Sequence, residues 1–519
     1  MGKKTIDNFI KKNFLKINYF NNNKKILLID RGIVDSAIMN SIFAYRLNKT
    51  QNYNIDLASD LSVGNDIIRI YNSFGINKLI KVNIRKIFKN FYLFFNVNFC
   101  FIFSYFKILF LGRTWFINNF KVINIYVGDL IYDDYIRRNL NFLNRNLNNF
   151  QFIKILFVSI FKIYFLNSLI NKNKYNYIMS PTHTYASNAA LGMRIALKKK
   201  IKVLNILSSR LRIYTRPSEA EKIEYNLDLK YLKDNQIFDQ NWQDRFDLMM
   251  KNRYLGNIKY VTAKDAYYKK KNINKLDFLK ILNLAPKNFK RTVFYAPHCF
   301  SDANHKAGRL IFEDYYDQFQ NTVKFAERDK NSLWIIKIHP TSYKYKEENL
   351  INELIKNKKV RNIVICPSQY STFSLIKFSD LVITGRGTVG LETACFGKKP
   401  LLAGETFYSK FGITYNPLNQ KDYFQKISKY NLQTKLSKKQ IQIAKKLFYL
   451  VVFKNSYTKK DKIMVSNYLR ADTKKKKLYQ QFLNEDEFVR QLTKKLDRRV
   501  DISNDAILLN FEKILMCQK

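Results

Sequence analysis

The sequence from Ser379 to Pro417 reads SDLVITGRGTVGLETACFGKKPLLAGETFYSKFGITYNP. Its pattern predicts a strand, a tight loop, a helix and a second strand, because the apolar run 381–384 ends at Gly385-Arg386-Gly387 and a helical pattern follows. Six of the 15 glycines in the chain fall inside this window. Because glycine is otherwise scarce, we expect the loop to need positive φ angles or the close approach of a ligand to the backbone.

The loop after this strand has the features of a phosphate site. Arg386 and the free N–H groups of a helix beginning near Thr388 would meet at the carboxyl end of the strand. Glu392 follows Thr388 by one turn on the same helical face, where we expect it to reach a ribose or sugar hydroxyl. The alternative is an ordinary strand-to-helix turn in which Glu392 is solvated.

Residues 385–390 also fit the dinucleotide pattern G-x-G-x-x-G, and Glu405 lies near the distance expected for a ribose-binding acid. Too little α/β pattern follows, however, to complete a dinucleotide sheet. Arg386 is also bulky where the backbone should approach such a cofactor. We therefore do not favour an NAD site.

The composition is that of a folded, strongly basic protein. At 519 residues, with 46% hydrophobic and 15% aromatic residues, the chain is large enough for two or more domains. Lys and Arg outnumber Asp and Glu by 91 to 41, which gives a formal charge of +50. The abundance of Lys, Asn, Ile, Phe and Tyr indicates an AT-rich coding bias, but such a bias would not lower Asp and Glu. We expect part of the charge to attract anionic substrates or an anionic membrane face.

The five cysteines are scattered, without a C-x-x-C pair. This favours a reducing cytoplasm over a disulfide framework or a zinc knuckle. The basic leader 1–22 lacks the sustained apolar stretch of a signal peptide, so we expect no secretion. The expected location is the cytoplasm, with peripheral contact at the inner face of the cell membrane as a further expectation.

Two apolar stretches bear on that membrane question. Residues 91–106 contain no charge but include Asn96 and Asn98, and residues 152–170 contain Lys154 and Lys162. The first is short for a membrane span. We expect both to be buried core helices. The alternative is a helical face that lies in the headgroup region, with the lysines reaching back to water.

Alternating strand and helix patterns predict parallel α/β sheets with helices on both sides. The strands are predicted at residues 25–30, 122–127, 175–179, 202–207, 292–296, 333–338, 362–366 and 381–384. We place domain boundaries to give a leader at 1–22, an N-terminal Rossmann-like domain with helical insertions at 23–285, a C-terminal one at 286–430 and a basic helical tail at 431–519.

Ligands of open parallel sheets bind beyond the carboxyl ends of the strands. Polar residues cluster at those ends, and all four histidines of the chain, His183, His298, His305 and His339, lie at or just after one. A single histidine at such a place is more often structural than catalytic. Because all four histidines lie at strand ends, we expect the carboxyl edges of the sheets to have a function.

The densest polar group follows the strand 292–296. His298, Asp302, His305 and Arg309 lie in one loop, where they supply a candidate general base and a cation for a leaving phosphate. A metal site on these residues is the competing hypothesis, but their spacing fits no structural zinc pattern, and the chain has no Asp-x-Asp motif. We expect no metal. A nucleophilic triad is also disfavoured, because no G-x-S-x-G element occurs.

These motifs resemble a known family. The segments APHCFSDANH (296–305), FEDYYDQ (312–318), WIIKIHP (334–340) and the window from Ser379 resemble capsular and surface-polysaccharide biosynthesis proteins related to bacterial capsule Kdo transferases. VGDLIYDDYIR (127–137) and SPTHTYASNAALGMRIA (180–196) look like the amino-terminal part of the same group. The resemblance covers roughly residues 25–430 and is strongest from Thr292 onward.

The resemblance implies a GT-B architecture, in which two Rossmann-like domains face a cleft and the second holds a nucleotide-sugar. It implies a glycosyltransferase that needs no metal and no cofactor, because the nucleotide-sugar, CMP-Kdo-like or another, is a substrate. The expected acceptor is a surface or capsular polysaccharide or a lipid-linked glycan. Related transferases that use CDP-glycerol share the His-Pro element.

The resemblance also assigns roles to residues. Gly385, Arg386, Gly387, Thr388, Glu392 and His339 would lie at the nucleotide, with Tyr408 closing the pocket. His298, Asp302 and His305 would face the transferred group. Asp129, as a further candidate base, and His183, together with Arg309, would address the acceptor.

Three other functions stay open. The first two, a CDP-glycerol-type transferase and a UDP-sugar 2-epimerase, would have the same architecture, and the epimerase would form product without an acceptor. A basic nucleic-acid-binding protein would have to bind without an RNP-like motif or a helix-turn-helix, neither of which the sequence shows, so we expect no nucleic-acid partner.

Overall fold

Two parallel β-sheets form the framework of the chain, one in each of two compact units. The computed structural model describes residues 17–450 except 33, 61–64, 139, 141, 144, 208–209, 222–231, 233–237, 257–265, 286–287, 306–307, 357–359 and 433. Among these, the first unit contains residues 17–135 and 146–221, and the second contains 136–145 and 222–450. The predicted α/β class with two Rossmann-like parallel sheets is therefore confirmed.

The elements up to residue 221 are, in chain order, β1 (Lys25–Ile29), α1 (Val34–Gln51), β2 (Asn54–Asp60), α2 (Asn65–Ser73), β3 (Leu79–Val82), a 3₁₀ helix (Ile84–Lys89), α3 (Phe91–Asn119), β4 (Lys121–Val122), β5 (Ile125–Tyr126), α4 (Gly128–Arg137), α5 (Phe150–Asn173), β6 (Tyr177–Ser180), α6 (Asn188–Lys198), β7 (Lys202–Leu207), β8 (Arg210–Tyr214) and α7 (Pro217–Glu221).

The first sheet has the order β3-β2-β1-β6-β7-β8, with only the edge strand β8 antiparallel to its neighbour. Central strand β1 is almost wholly apolar and buried, as expected for a strand covered on both faces. Helix α6 lies against this sheet and is buried on every side. Gly192 allows this contact, because a Cβ there would lie 2.3 Å from Ile29 Cδ1.

Helices α5 and α3 add two further layers outside α6. Helix α5 packs on α6, and α3 packs on α5. The buried side chains of α5 extend along the helix from Phe152 to Ile170, so this stretch is a core helix as predicted. For α3 the same expectation is wrong: one stripe packs on α5, and most of its aromatic side chains are exposed. The sequence does not distinguish the two helices, because both are apolar around most of their circumference.

The described elements after residue 221 are, in chain order, α8 (Trp242–Tyr254), α9 (Lys275–Ile281), β9 (Arg291–Ala296), α10 (Tyr315–Arg328), β10 (Ser332–Ile336), a 3₁₀ helix (Ser342–Tyr345), α11 (Glu348–Lys356), β11 (Ile363–Ile365), α12 (Thr372–Phe378), β12 (Leu381–Thr384), α13 (Thr388–Cys395), β13 (Leu401–Leu402), a 3₁₀ helix (Ser409–Phe411), α14 (Gln420–Ser428) and α15 (Lys438–Phe448).

The second sheet has the order β11-β10-β9-β12-β13, and all of its neighbours are parallel. The chain first builds outward from β9 to β10 and β11, and then crosses to the other side of β9 with β12 and β13. Neighbouring strands β9 and β12 therefore flank the point where the direction of winding reverses, which is where open α/β sheets bind ligands.

The structure corrects one strand and one boundary. Residues 122–127 form no strand of the main sheet. They lie in the separate two-stranded antiparallel hairpin that β4 and β5 form. The described residues between 222 and 285 cluster with the second unit and not with the first. Trp242 and Phe246 of α8 and Phe278 of α9 are buried in its hydrophobic clusters. Most of the predicted leader and tail, at 1–16 and 451–519, lies outside the described residues.

An ion pair closes the amino end of the second sheet. Arg291 of β9 bonds the carboxylate of Asp329 at 3.2 Å, and Trp334 Nε1 and the Tyr430 hydroxyl donate to the same carboxylate. Both charged side chains are nearly inaccessible. Burial acts to raise the pKa of Asp329, but the donors Tyr430, Ser332 and Arg291 hold it below its ordinary value.

We expect Asp329→Asn to lower the free energy of unfolding by about 3–5 kcal/mol at neutral pH, because it leaves the Arg291 cation buried without its carboxylate. Free Asp titrates near pH about 4, and the folded pKa is lower. The stabilisation is therefore present above that pH and is lost as the pH falls through the folded pKa. Urea denaturation at several pH values measures this.

The control for this variant is Asp244→Asn, since Asp244 is exposed on α8. It should change stability by less than about 1 kcal/mol. An Asp329→Asn effect that stays constant from neutral pH down to the acid range would contradict the ionic contribution.

Candidate functional site

The candidate site lies at the carboxyl edge of the second sheet, where three loops meet. His298 follows β9, His339 follows the neighbouring β10, and Gly385-Arg386-Gly387 follows β12 on the other side of β9. A direct bond joins two of these strand ends, because Thr384 Oγ1 donates to the carbonyl of Ala296 at 2.9 Å. The strand order thus brings together residues that are up to about ninety positions apart in sequence.

A continuous row of rings crosses this edge. The ring of His298 stacks on that of His339 with centroids 5.1 Å apart, and it also stacks on the ring of Tyr315 with centroids 4.5 Å apart. The Tyr315 hydroxyl in turn lies 3.4 Å from Arg386 Nη1. Tyr315, the first residue of α10, therefore connects the histidines to the glycine loop.

The hydrogen bonds of His339 determine which ring nitrogen carries the proton. Nδ1 accepts the backbone N–H of Thr341 at 3.3 Å, with Thr341 Oγ1 at 2.9 Å and Cys299 Sγ at 3.2 Å. Burial raises the pKa of Cys299 to about 12, so its thiol stays protonated and can act as a donor. In the neutral ring the proton is therefore on Nε2.

The loop after β9 is held by a buried carboxylate. Glu347 accepts the N–H groups of Phe300 and Ser301 at 2.7 and 2.9 Å and the Ser301 hydroxyl at 2.5 Å. Burial raises the pKa of Glu347, an effect that the Ser301 hydroxyl and these N–H groups partly offset. Glu347 therefore fixes the backbone of the loop that bears His298. No local sequence signal marks Glu347, whose partners lie 46 and 47 positions away.

A segment from the middle of the chain supports the same loop. Phe142 packs on Phe300 and Tyr316, with ring centroids 5.4 and 5.1 Å apart. Arg145 reaches Asp317 at 3.3 Å and lies over the ring of Tyr316. Sequence reasoning missed these two residues, because their partners lie far along the chain.

Arg386 holds three loop segments together. Its guanidinium donates to the carbonyls of Asn304, Gly308 and Glu405, with Nη2 to Gly308 at 2.5 Å and Nε to Glu405 at 2.9 Å. The side chain is buried, and within the described part of the chain no carboxylate forms an ion pair with it. A cation bonded only to neutral oxygens leaves a positive potential at this edge.

The helix beginning at Thr388 has no side-chain cap, since its cap residue is Gly387. Thr388 is exposed, and the amino end of α13 follows directly on the buried Arg386. Uncapped N–H groups and the helix dipole both favour an anion at this point.

The six glycines of this window serve two purposes. Only Gly397 and Gly412 have positive φ, at 81° and 73°. Gly390 and Gly404 make room for side chains instead, because a Cβ would lie 2.5 Å from the Tyr408 hydroxyl and 2.7 Å from Arg386 Nε, respectively. The expectation that positive φ or a ligand explains the glycine density is thus only partly right: close packing explains these two.

Tyr408 does not close a pocket. It is fully buried, and its hydroxyl donates to the carbonyl of Gly387 beneath the start of α13. Burial raises its pKa well above the ordinary value, so the phenol stays neutral. Tyr408 therefore holds the glycine loop in place through a buried hydrogen bond.

Glu392 also differs from the prediction. It is fully buried, and Oε1 accepts Nε and Nη2 of Arg253 at 3.1 and 2.8 Å while Oε2 accepts the Tyr267 hydroxyl. The Arg253 guanidinium lies 4.4 Å from the centre of the Tyr267 ring. With both oxygens bonded inside the protein, Glu392 ties α13 to α8 and does not present a carboxylate to a sugar.

In the first unit, Asp129 and His183 lie in different settings. Asp129 is the second residue of α4 and forms a bidentate ion pair with Arg194 of α6, with each carboxylate oxygen 2.6 Å from a guanidinium nitrogen. Burial opposes the charge on Arg194, but the carboxylate outweighs it and raises the pKa of Arg194. An Asp so engaged is an anchor and a poor general base. His183 is buried in the loop after β6.

The remaining predicted residues lie on the loop after β9. Nε2 of His305 bonds the carbonyl of Glu313 at 2.8 Å, so Nε2 carries the proton and Nδ1 is the basic nitrogen of the neutral ring. Asp302 is half-buried in the turn that begins at Cys299. Arg309 is exposed and donates to the carbonyl of Leu418. Across the described residues, no three His, Cys, Asp or Glu side chains are grouped to hold a metal ion.

We expect Glu392→Gln to lower the free energy of unfolding by about 3–5 kcal/mol, because it leaves Arg253 buried without its carboxylate. The folded variant should keep the same nucleotide-induced rise in melting temperature as the wild type. Thermal unfolding with and without a pyrimidine nucleotide measures both effects.

Glu348→Gln, at an exposed position of α11, is the matched control and should change neither value. If Glu392→Gln keeps full stability and loses the nucleotide response, Glu392 contacts the ligand and the anchoring role is wrong.

One comparison with known proteins agrees with the sequence resemblance. A family model described as capsule polysaccharide biosynthesis protein matches residues 227–449, which contain the whole candidate site. No curated protein matches the chain.

Several solved structures are similar in part. A β-Kdo 2,4-transferase, Thermosulfurimonas dismutans KpsC, is 13% identical, with 52% of this chain and 79% of that chain covered and a TM-score of 0.31. The β-Kdo 2,7-transferase of the same KpsC is 15% identical, with 54% of this chain and 78% of that chain covered and a TM-score of 0.25. A UDP-GlcNAc 2-epimerase from Neisseria meningitidis is 12% identical, with 83% of this chain and 100% of that chain covered and a TM-score of 0.22. At these TM-scores the likeness transfers no activity to this chain. The family match bears out the resemblance to capsule polysaccharide biosynthesis proteins over residues 227–449, a little under half of the chain.

Proposed function

We propose that this chain is a glycosyltransferase that moves a sugar from a nucleotide-activated donor to a surface or capsular glycan or its lipid-linked precursor. The observation that carries the proposal is the edge of the second sheet, where His298, His339, Tyr315 and Arg386 form one row beside the uncapped start of α13. The family match over this region supports it.

In this proposal the donor phosphates lie at the amino end of α13. The helix N–H groups at Thr388 would bond the phosphate oxygens, and the buried charge of Arg386 would favour their negative charge without contacting them directly. His339 would add its Nε2–H, the donor that its Nδ1 contacts fix in place. Charge that develops on the departing phosphate would thus meet donors that are already oriented.

Transfer requires that the acceptor hydroxyl lose its proton as it attacks the sugar. The bond between the sugar carbon and the phosphate oxygen breaks with its electron pair remaining on the nucleotide, and the bond to the acceptor oxygen forms. We assign the proton to Nδ1 of His305, the basic nitrogen of that ring, with Asp302 as the other candidate on the loop. Asp129 is no longer a candidate, because Arg194 occupies both of its oxygens.

We expect a pyrimidine nucleotide to raise the melting temperature, and Arg386→Lys to lose most of this shift. Lysine keeps the positive charge but lacks the planar guanidinium, whose nitrogens donate to carbonyls of three loop segments. A ligand at about a hundred times its dissociation constant stabilises by about 2.7 kcal/mol, which is measurable in a protein of this size. A panel of CMP, CDP, UDP and NAD tests this and reports the donor class.

Arg361→Lys serves as the control, because Arg361 is exposed. Stabilisation by NAD alone, or by none of the four, would contradict a nucleotide-sugar site. The panel repeated with a chelator tests whether binding needs a metal, and we expect no change.

We expect His339→Gln to lower kcat by about 10²–10³-fold with little change in KM, because loss of one oriented donor to developing charge has effects of this size. His305→Gln and Asp302→Asn, assayed over a range of pH, should separate the two candidate bases. Product analysis without acceptor is the critical comparison. Sugar conversion in the absence of acceptor would contradict transfer and identify an epimerase.

A further inference from the structure

Helix α3 exposes a long apolar face. Phe91, Phe99 and Phe110 are 78%, 75% and 89% exposed, and Ile102, Phe103 and Phe106 are also mostly exposed. At about 100° per residue these side chains fall on one side of the helix. The face extends over about 20 residues, or about 30 Å. Soluble monomers rarely expose an apolar surface of this extent.

The opposite side of α3 is already in use. Leu93, Val97, Ser104 and Ile108 are buried and lie on the other side of the helix, and α3 packs on α5. The orientation of the exposed face is therefore fixed by packing within the first unit. The aromatic face points away from the sheet, beyond three helical layers.

The same packing bears on whether these helices cross a membrane. Both α3 and α5 are long and apolar enough to span one by length and composition alone. Helix α5, however, packs on α6, which covers the sheet, and its buried side chains extend from Phe152 to Ile170. A span by α5 would draw the sheet into the bilayer, so an orientation of α3 along the membrane plane agrees with the structure.

The charge around this face favours one occupant. From Lys81 to Lys121 the sequence contains seven Lys or Arg and no Asp or Glu. Lys107 lies beside the face, with its ammonium 5.1 Å from the ring of Trp115 and 6.0 Å from that of Phe103. A lysine there can reach headgroups while its stem covers apolar surface. A second copy of the chain would bring the same positive charge against it, whereas anionic headgroups would neutralise it.

We propose that the outer face of α3, from Phe91 to Phe110, docks the protein on a lipid bilayer with anionic headgroups, with the helix lying in the plane of the interface. The aromatic side chains enter the headgroup and acyl boundary, and the basic residues contact the lipid phosphates. The proposal does not depend on the transferase activity.

The test is co-sedimentation of the full chain with vesicles of phosphatidylcholine alone or mixed with phosphatidylglycerol. We expect binding to the mixed vesicles only, and a several-fold loss as the salt concentration rises. The triple variant Phe99→Gln, Phe103→Gln, Phe106→Gln should lose at least about tenfold in partitioning, because three apolar side chains no longer enter the interface. These positions are exposed, so circular dichroism should show an unchanged fold.

The matched control is Leu248→Gln, Leu276→Gln, Ile281→Gln, which removes three exposed apolar side chains from the second unit. It should bind vesicles like the wild type. Equal binding of both triple variants, or equal binding to neutral and anionic vesicles, would overturn the proposal. A dimer that the α3 variant dissociates, with no vesicle binding, would show that a second copy covers the face.

Discussion

The candidate site depends on the guanidinium of Arg386, which lies in the turn after β12 and bonds carbonyls of the loops after β9 and β13. One planar group with five donors can hold three backbone segments in fixed relative positions, which lysine cannot do. Gly404 leaves the space for its side chain. Because the charge meets only neutral oxygens, the same group that orders the loops also prepares the edge for an anion.

Buried carboxylates in this protein serve mainly as anchors. Asp129, Glu392 and Asp329 each pair with an arginine from a distant part of the chain, and Glu347 accepts two backbone N–H groups and a hydroxyl. A buried carboxylate needs such partners, because an unpaired charge in the interior is costly. Two acids that their motifs marked as functional, Asp129 and Glu392, therefore have structural roles, and it is to the histidines that we assign the chemistry of the proposed site.

The first unit contrasts with this arrangement. Its helices α6, α5 and α3 form successive layers on one face of the sheet, and the outermost layer remains apolar on both sides. Helices α5 and α3 have similar composition, yet one is core and the other is half exposed. Position in the layers decides which apolar helix meets the core and which has a face available to a membrane.

The sequence by itself determined the α/β class, seven of the eight predicted strands and the polar residues at the strand ends, because these depend on local hydrophobic periodicity and on glycine, proline and histidine at fixed places. It located His298, His339, Gly385 and Arg386 correctly at one sheet edge. It did not reveal that Glu392, Tyr408 and Asp129 point inward, that Tyr315 links the histidines to Arg386, or that α3 is exposed. Only the tertiary structure decided these, because partners such as Arg253, Arg194 and Glu347 lie tens to more than a hundred residues away, and no local pattern records a contact over that distance.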